Sequence, residues 1–319
     1  MGKTHKYASK GCRIKDNIGF IGLGKMGMPM AIRLAESGFS LCAYDIRHEC
    51  EREVTKHGIA WMPSIKQLVE NSQIILIIVY NGDQVRKLML DPGGILEAAK
   101  TGTVVIDMTS SDPMLAKELL KSCNEKGIQL IDAPVSGGVA GAKSGTLAIM
   151  AGGEELLVEK YQNIFQVLGK KCVYIGPNGS GYAVKCMNNY LSALAIAGTA
   201  EVVALANKAG MSAEKVVEFL AIGSGTSDAV TRKYPQNIFP DIDAGYTMET
   251  LHKDLKNYVN YSELMKMPTI ISSVVYQLWN IHVIEGRGKK DGNYFVEPYE
   301  RWCGKRIRGI NTKGKKKGS

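Results

Sequence analysis

In the stretch GSGYAVKCMNNY (179–190), a lysine and an asparagine interrupt an apolar helical pattern. Lys185 and Asn189 are four residues apart, so on a helix they lie on one face. Gly181 stands one turn before Lys185 and adds no bulk to that face. An amine and a carboxamide projecting together can address a single substrate oxygen. A solitary lysine is ordinarily a solvated surface group, but the strongly apolar surroundings argue for burial here. A second candidate lies in DAPVSGGVAGAKSGTLAIMAGG (132–153), where Ser136, Gly137 and Gly138 follow an apolar run. One hydroxyl and several N–H groups unshielded by side chains suit a small carboxylate or phosphate. A plain turn between two strands is the alternative.

The third candidate is FIGLGKMGMPM (20–30), with Gly22, Gly24 and Gly27 spaced G-x-G-x-x-G. The motif follows a β-like run and opens a helical one, as a dinucleotide-binding fingerprint requires. Gly22 permits the tight turn, Gly24 lets backbone approach a pyrophosphate, and Gly27 lets helix and strand pack closely. The phosphates would sit at the helix N-terminus, where free N–H groups favour anions. Asp45 ends the next β-like run, 23 residues after Gly22. A carboxylate there hydrogen-bonds the adenosine ribose and repels a 2′-phosphate, which favours NAD over NADP. Arg47 complicates this preference, since it could pair with a phosphate.

These groups need a frame. Strands are predicted at 18–22, 40–45, 74–79, 103–108, 129–134, 147–152 and 172–176, with helices at 25–37, 112–126 and 154–168 among them. Near-continuous apolar strands alternating with helices predict a parallel sheet covered on both faces. From residue 181 no strong breaker occurs before Gly210, which predicts one helix of about 30 residues, roughly 45 Å long. Ser212 can cap the next helix, and further helices are predicted at 212–221, 226–238, 248–265 and 268–286. The expected fold class is α/β: a Rossmann-type doubly wound sheet domain at 18–178, then an all-α domain at 179–303, joined by the long helix.

The chain has 319 residues, is 45% hydrophobic and carries a net charge of +9. Residues 1–16 hold five Lys/Arg and one Asp, and residues 304–319 hold seven Lys/Arg and no acid. The ends therefore carry +11 and residues 17–303 sum to −2, so the basic character belongs to segments expected to be tails, 1–17 and 304–319. Those tails leave a weak contact with nucleic acid or an anionic surface open, but nucleic acid is not expected as a partner of the folded core. Seven scattered cysteines show no C-x-x-C pair and no Cys/His cluster, so neither a metal site nor a disulfide framework is expected. No membrane span is expected, since the most apolar stretch, LSALAIAGTAEVVALA, contains Glu201 and reads as a buried helix. The first residues lack an apolar signal-peptide core, and a cytoplasmic location is the default expectation.

Four motifs in order resemble those of the β-hydroxyacid dehydrogenases, the group of 3-hydroxyisobutyrate dehydrogenase, tartronate semialdehyde reductase and 6-phosphogluconate dehydrogenase. They are GFIGLGKMGMPMA (19–31), DAPVSGGVAGAKSGTLAIMAGG, GYAVKCMNN and HKDL (252–255), and the likeness spans about 18–302. The resemblance implies Lys185 as general acid/base and Asn189 as orienter of the reacting oxygen, with Ser136, Gly137 and Gly138 on the substrate carboxylate. It implies cofactor contacts from Gly22, Leu23, Gly24, Met26, Gly27 and Asp45. Backbone atoms of Val79 and Tyr80 would flank the cofactor, Ser110 would lie beside the nicotinamide ribose, and Lys253 would approach the nicotinamide. Tyr80 departs from the Leu-Pro usual there. The family also implies a homo-oligomer, dimer or tetramer.

The implied reaction moves a hydride between nicotinamide and a small 3-hydroxy acid or its semialdehyde. Candidates are 3-hydroxyisobutyrate, 2-(hydroxymethyl)glutarate, tartronate semialdehyde/glycerate and serine. A free lysine titrates near 10.4, and burial beside Lys253 should lower that value. Imine reductases of the group usually replace the lysine, sulfonate reductases tend to alter the Ser-Gly-Gly loop, and Asp45 opposes the NADP of 6-phosphogluconate enzymes. A non-catalytic dinucleotide-binding scaffold is the reading from another class, and retention of Lys185 with Asn189 counts against it.

Overall fold

The computed structural model describes residues 17–310. Nine strands form one sheet: β1 Ile18–Ile21, β2 Leu41–Tyr44, β3 Ala60–Trp61, β4 Ile74–Ile77, β5 Val104–Asp107, β6 Gln129–Asp132, β7 Val135–Ser136, β8 Leu147–Gly152 and β9 Gly169–Gly176. Their order is β3-β2-β1-β4-β5-β6-β8-β7, with β9 on the other side of β8. β1 and β4 to β6 are buried along nearly their whole length. Alternate residues feed two separate cores: Ile18, Phe20, Leu76 and Ile106 one, Ile21, Ile75, Ile77 and Val105 the other. This is the two-faced burial that the apolar runs call for.

Strands β1 to β6 are parallel, as expected, but β8 runs antiparallel to both β6 and β7. The reason is length. Only the short helix Gly138–Ser144 separates β7 from β8, too little chain for the crossover that parallel strands need. The predicted helix at 154–168 is two, Glu155–Lys160 and Gln162–Leu168, meeting at Tyr161.

The helix Ser180–Lys208 leaves the sheet and forms the spine of the second half. Among the described residues it is the one helix long and apolar enough to cross a membrane. Its residues Ala193, Ile196, Ala197, Ala200 and Val203 are instead buried in the helical core, against Tyr234, Leu251, Leu255, Trp279 and Phe295. Around it pack Ala213–Ile222, capped by Ser212 as expected, Met248–Leu264, Ile270–His282 and Glu297–Cys303. The segment Ala229–Ile238 is a widened helix containing Pro235, which has no N–H to give to a regular ladder. The helix predicted to 286 loses regularity after His282 and turns at Gly286, φ +77.

The expected C-terminal tail begins too early at 304. Ile307 is fully buried in the helical core. Arg308 pairs with Glu300 at 2.8 Å, and the Ile307 and Arg308 N–H groups both donate to the Glu300 carboxylate. Burial pushes Glu300 up, but Arg308 and these N–H groups outweigh it and hold the carboxyl below its ordinary value. A run rich in Lys and Arg reads as a solvated end unless the counter-charge of Arg308, eight residues upstream at Glu300, is noticed. Of the expected tail at 1–17, residues 1–16 lie outside the described residues, as do residues 311–319.

Candidate active site

The nucleotide side is built from backbone. β1 ends at Ile21, and the chain turns at Gly22 with φ +97. A Cβ on Gly22 would lie 2.1 Å from the Ile78 carbonyl oxygen, and one on Gly27 would lie 1.9 Å from that of Gly22. Neither position accepts a side chain. Gly24 differs: a Cβ there would meet nothing within 4 Å. Its bare backbone faces open space at the start of the helix Gly27–Glu36, where Met26 makes no side-chain cap bond. Unpaired helical N–H groups beside uncovered backbone suit a pyrophosphate.

Asp45 directly follows β2 and is 7% exposed. Its carboxylate accepts four hydrogen bonds: from the Leu23 N–H at 2.6 Å, the Arg47 N–H at 2.9 Å, Arg47 Nε at 2.9 Å and Arg47 Nη2 at 3.2 Å. Burial pushes this carboxyl up, but the donors and the Arg47 charge outweigh it and hold it below its ordinary value. Arg47 Nη2 also donates to the Leu23 carbonyl at 3.0 Å. The arginine side chain is 48% exposed, so the Asp45 carboxylate is covered by a group at the protein surface. The turn, the helix start and the acid together fit the adenosine half of NAD.

The start of the long helix, which carries Lys185, is positioned by two buried acids at strand ends. Asp132, the last residue of β6, accepts from the Gly179 N–H at 2.8 Å and the Tyr182 N–H at 3.2 Å, so it caps the long helix. Asp107, the last residue of β5, accepts a hydrogen bond from the Tyr182 hydroxyl. Burial pushes both carboxyls up to about 6 against these donors. A Cβ on Gly181 would lie 2.4 Å from the Met150 carbonyl oxygen of β8. The first turns of the long helix are thereby seated on the sheet, and Lys185 is fixed to the sheet rather than to the helical core.

Lys185 is buried, and no hydrogen bond or ion pair joins its amine to any described residue. Burial lowers its pKa, and Lys253 adds to this while Asp254 and Cys186 oppose it. Asn189 Nδ2 donates to Asp254 Oδ2 at 2.6 Å, and Asp254 Oδ1 lies 3.2 Å from Lys253 Nζ. Lys253, on Met248–Leu264, donates to the carbonyls of Tyr80 and Ser110, both at 3.0 Å. One ammonium thus ties the helical half to the loops after β4 and β5. Val79 N–H donates to Thr109 Oγ1 at 3.1 Å, and Tyr80 N–H to Gln84 Oε1 at 2.9 Å.

Of the residues expected from sequence, Gly22, Leu23, Gly24, Met26, Gly27 and Asp45 gather after β1, and the Val79 side chain lies beside Gly22. Lys253 joins Tyr80 and Ser110, and through Asp254 it is linked to Asn189, with Lys185 close enough to feel both charges. Ser136, Gly137 and Gly138 stand apart, between β7 and β8, with no hydrogen bond to the Lys185 cluster among the described residues. β8 is their common neighbour, since Ala148 pairs with Ser136 and Met150 abuts Gly181. Sequence reasoning missed Asp107, Asp132 and Tyr182. The acids had a signal: each ends an apolar run, in TVVIDM and QLIDAP, where an uncompensated carboxylate is costly.

A strand order that reverses between β1 and β4, a glycine turn after β1 and a buried acid at the end of β2 fit a nicotinamide-dependent oxidoreductase. Residues 17–176 match the family profile for the NAD binding domain of 6-phosphogluconate dehydrogenase. Residues 179–299 match that for the NAD-binding domain of NADP-dependent 3-hydroxyisobutyrate dehydrogenase. The chain belongs to the β-hydroxyacid dehydrogenase family. It is 35% identical to 2-(hydroxymethyl)glutarate dehydrogenase of Eubacterium barkeri, over 92% of this chain and 97% of the relative. It is 32% identical to 2-hydroxy-3-oxopropionate reductase of Escherichia coli, over 89% and 97%. The 3-hydroxyisobutyrate dehydrogenase of Mycobacterium tuberculosis, solved with L-serine, superposes with a TM-score of 0.82 at 26% identity, over 89% of this chain and 99% of that one. The protein is an NAD-dependent hydroxyacid dehydrogenase of the 3-hydroxyisobutyrate type.

Proposed function

We propose that this enzyme interconverts a small carboxylate-bearing 3-hydroxy acid and its semialdehyde, with Lys185 as general acid/base. The observation that carries the reading is the amine of Lys185: buried, with its pKa lowered and no partner among the described residues, on one helical face with Asn189. When bound, NAD supplies the hydride acceptor for the alcohol carbon. As that C–H bond breaks and the carbonyl forms, the neutral amine of Lys185 takes the hydroxyl proton. In reduction its ammonium returns that proton to the developing alkoxide. Asn189, held by Asp254, is placed to hydrogen-bond the same oxygen. Ser136, Gly137 and Gly138 offer a hydroxyl and backbone N–H groups to the carboxylate. Lys253 and the carbonyls of Tyr80 and Ser110 close the nicotinamide end, where Val79 adds backbone.

Support for a hydroxy acid comes from relatives whose names specify 2-(hydroxymethyl)glutarate, 2-hydroxy-3-oxopropionate, 3-hydroxyisobutyrate and L-serine. A panel of these acids with NAD and with NADP, followed by nicotinamide absorbance, tests the reading. It expects turnover of at least one acid with NAD preferred, and absence of turnover alongside tight NAD binding would favour the scaffold reading instead. The same reading takes the enzyme to be a cytoplasmic homo-oligomer. Exposed apolar side chains on the helical half, among them Leu205, Phe219, Ile222, Ile270 and Ile284, are surface for a second copy to cover. Sedimentation showing a monomer at micromolar concentration would refute that part.

A further inference from the structure

We propose that Lys233 binds a second carboxylate of the substrate, so that the enzyme favours 3-hydroxy acids with a distal carboxylate over monocarboxylates. The inference rests on the reading of Lys185 and Asn189 as the reacting end of the cleft. Lys185, Asn189 and Ser192 are spaced by four and then three residues, so they form one stripe along the long helix, rising about 10 Å from first to last. Lys233, on Ala229–Ile238, donates to Ser192 Oγ. The next residue, Tyr234, donates through its hydroxyl to the Ile196 carbonyl at 3.1 Å. Lys233 is thereby held on the same stripe, one turn beyond Asn189.

Its environment is that of a cation without an adequate counter-ion. The side chain is 15% exposed, and its nearest carboxylate oxygen, on Asp228, is 4.0 Å away. Both Asp228 oxygens already accept hydrogen bonds from Arg232, at 2.8 and 2.7 Å. The Tyr246 ring flanks the ammonium at 5.9 Å. Burial, together with the charges of Arg232 and Lys185 and against that of Asp228, pushes Lys233 down to about 8. At neutral pH the ammonium form still predominates. A desolvated ammonium with one neutral hydroxyl partner gains most from an incoming anion. With the reacting hydroxyl at Lys185 and Asn189, an arm of two or three carbons brings a distal carboxylate to the next helical turn. The small side chain of Ser192 leaves room there and adds a donor.

The test compares 2-(hydroxymethyl)glutarate with 3-hydroxyisobutyrate, which share the reacting CH2OH and the adjacent carboxylate and differ only in the arm. Wild type is expected to favour the diacid. Lys233→Met should lower the ratio of the two kcat/KM values at least tenfold, and Lys233→Arg should keep most of it. Equal losses for both acids, or an unchanged ratio, would overturn the proposal. A turnover-independent arm measures glutarate and butyrate binding to the NAD-saturated protein by calorimetry. Glutarate should bind wild type at least tenfold more tightly than Lys233→Met, with butyrate indifferent. If neither hydroxy acid is turned over, the parent reading fails for these substrates, yet glutarate binding that depends on Lys233 upholds the subsite. Equal glutarate binding by the two proteins sinks it.

Discussion

Asp45 and Lys185 are both buried ionisable groups, and the chain treats them in opposite ways. The carboxylate at the nucleotide end is satisfied by four donors and held below its ordinary pKa. The Lys185 amine receives no hydrogen-bond or ion-pair partner among the described residues, and its pKa is lowered by burial. A site that binds is served by a charge fixed before the ligand arrives. A site that moves a proton needs a group whose two protonation states are close in free energy, and desolvation without a partner brings an amine toward that condition.

Breaking the reaction end should have the largest effect. Lys185→Ala is expected to lower kcat about 10²–10⁴-fold, the range of general acid/base assistance, while NAD affinity measured by fluorescence titration stays within about twofold. Breaking the nucleotide end should reverse that pattern. Gly27→Ala forces a Cβ to 1.9 Å from the Gly22 carbonyl oxygen, so NAD affinity should fall at least tenfold with the Lys185 cluster left in place. Retained NAD affinity would separate the turn from the cofactor.

The electrostatic contrast can be sharpened from the Lys185 side. The Asp254 charge raises the Lys185 pKa against burial. Asp254→Asn should therefore move the acidic limb of the oxidation kcat/KM profile to lower pH, whatever it does to the maximal rate. A limb that stays put would detach Asp254 from Lys185. From the Asp45 side, Arg47→Ala frees acceptor positions on the carboxylate. The expected result is a several-fold greater preference for NAD over NADP, read as a ratio of kcat/KM values.

How much of this was legible beforehand depended on whether a signal was local. The glycine turn, Asp45 and the Lys185–Asn189 pair sit within short spacings, and local geometry alone relates them. The antiparallel β8 needed the count of residues after Ser136, which apolar periodicity does not weigh. The packed Ile307–Arg308 segment depended on Glu300, and a net charge summed over the ends hid that pairing. Asp107 and Tyr182 are 75 residues apart, so only the fold could join them. The same distance limited the site: Lys253 was expected at the nicotinamide, but its bridge to the Tyr80 and Ser110 carbonyls belongs to the packing of two halves.

The strand-end acids yield the smallest predicted effect. Asp107 titrates at about 6 in the folded protein, above its ordinary 3.8. A carboxyl raised in this way contributes stability that is full below about pH 4 and lost as pH rises through 6. The Asp107 contribution to stability should accordingly decline between about pH 4 and 7, with Asp132 acting in the same direction and the half-buried His252 and the buried His282 in the opposite one. Asp107→Asn should flatten part of that limb, as thermal melts across this range would show. A slope unchanged by the substitution would mean that Asp107 does not titrate there.

The central claim is that the Lys185 amine itself carries the proton, and chemical rescue tests it most directly. In Lys185→Ala, added primary alkylamines should restore NAD-dependent oxidation in proportion to their concentration, and more effectively as the basicity of the amine rises. A Lys185→Ala enzyme that turns over its hydroxy acid at the wild-type rate without any amine would contradict the account.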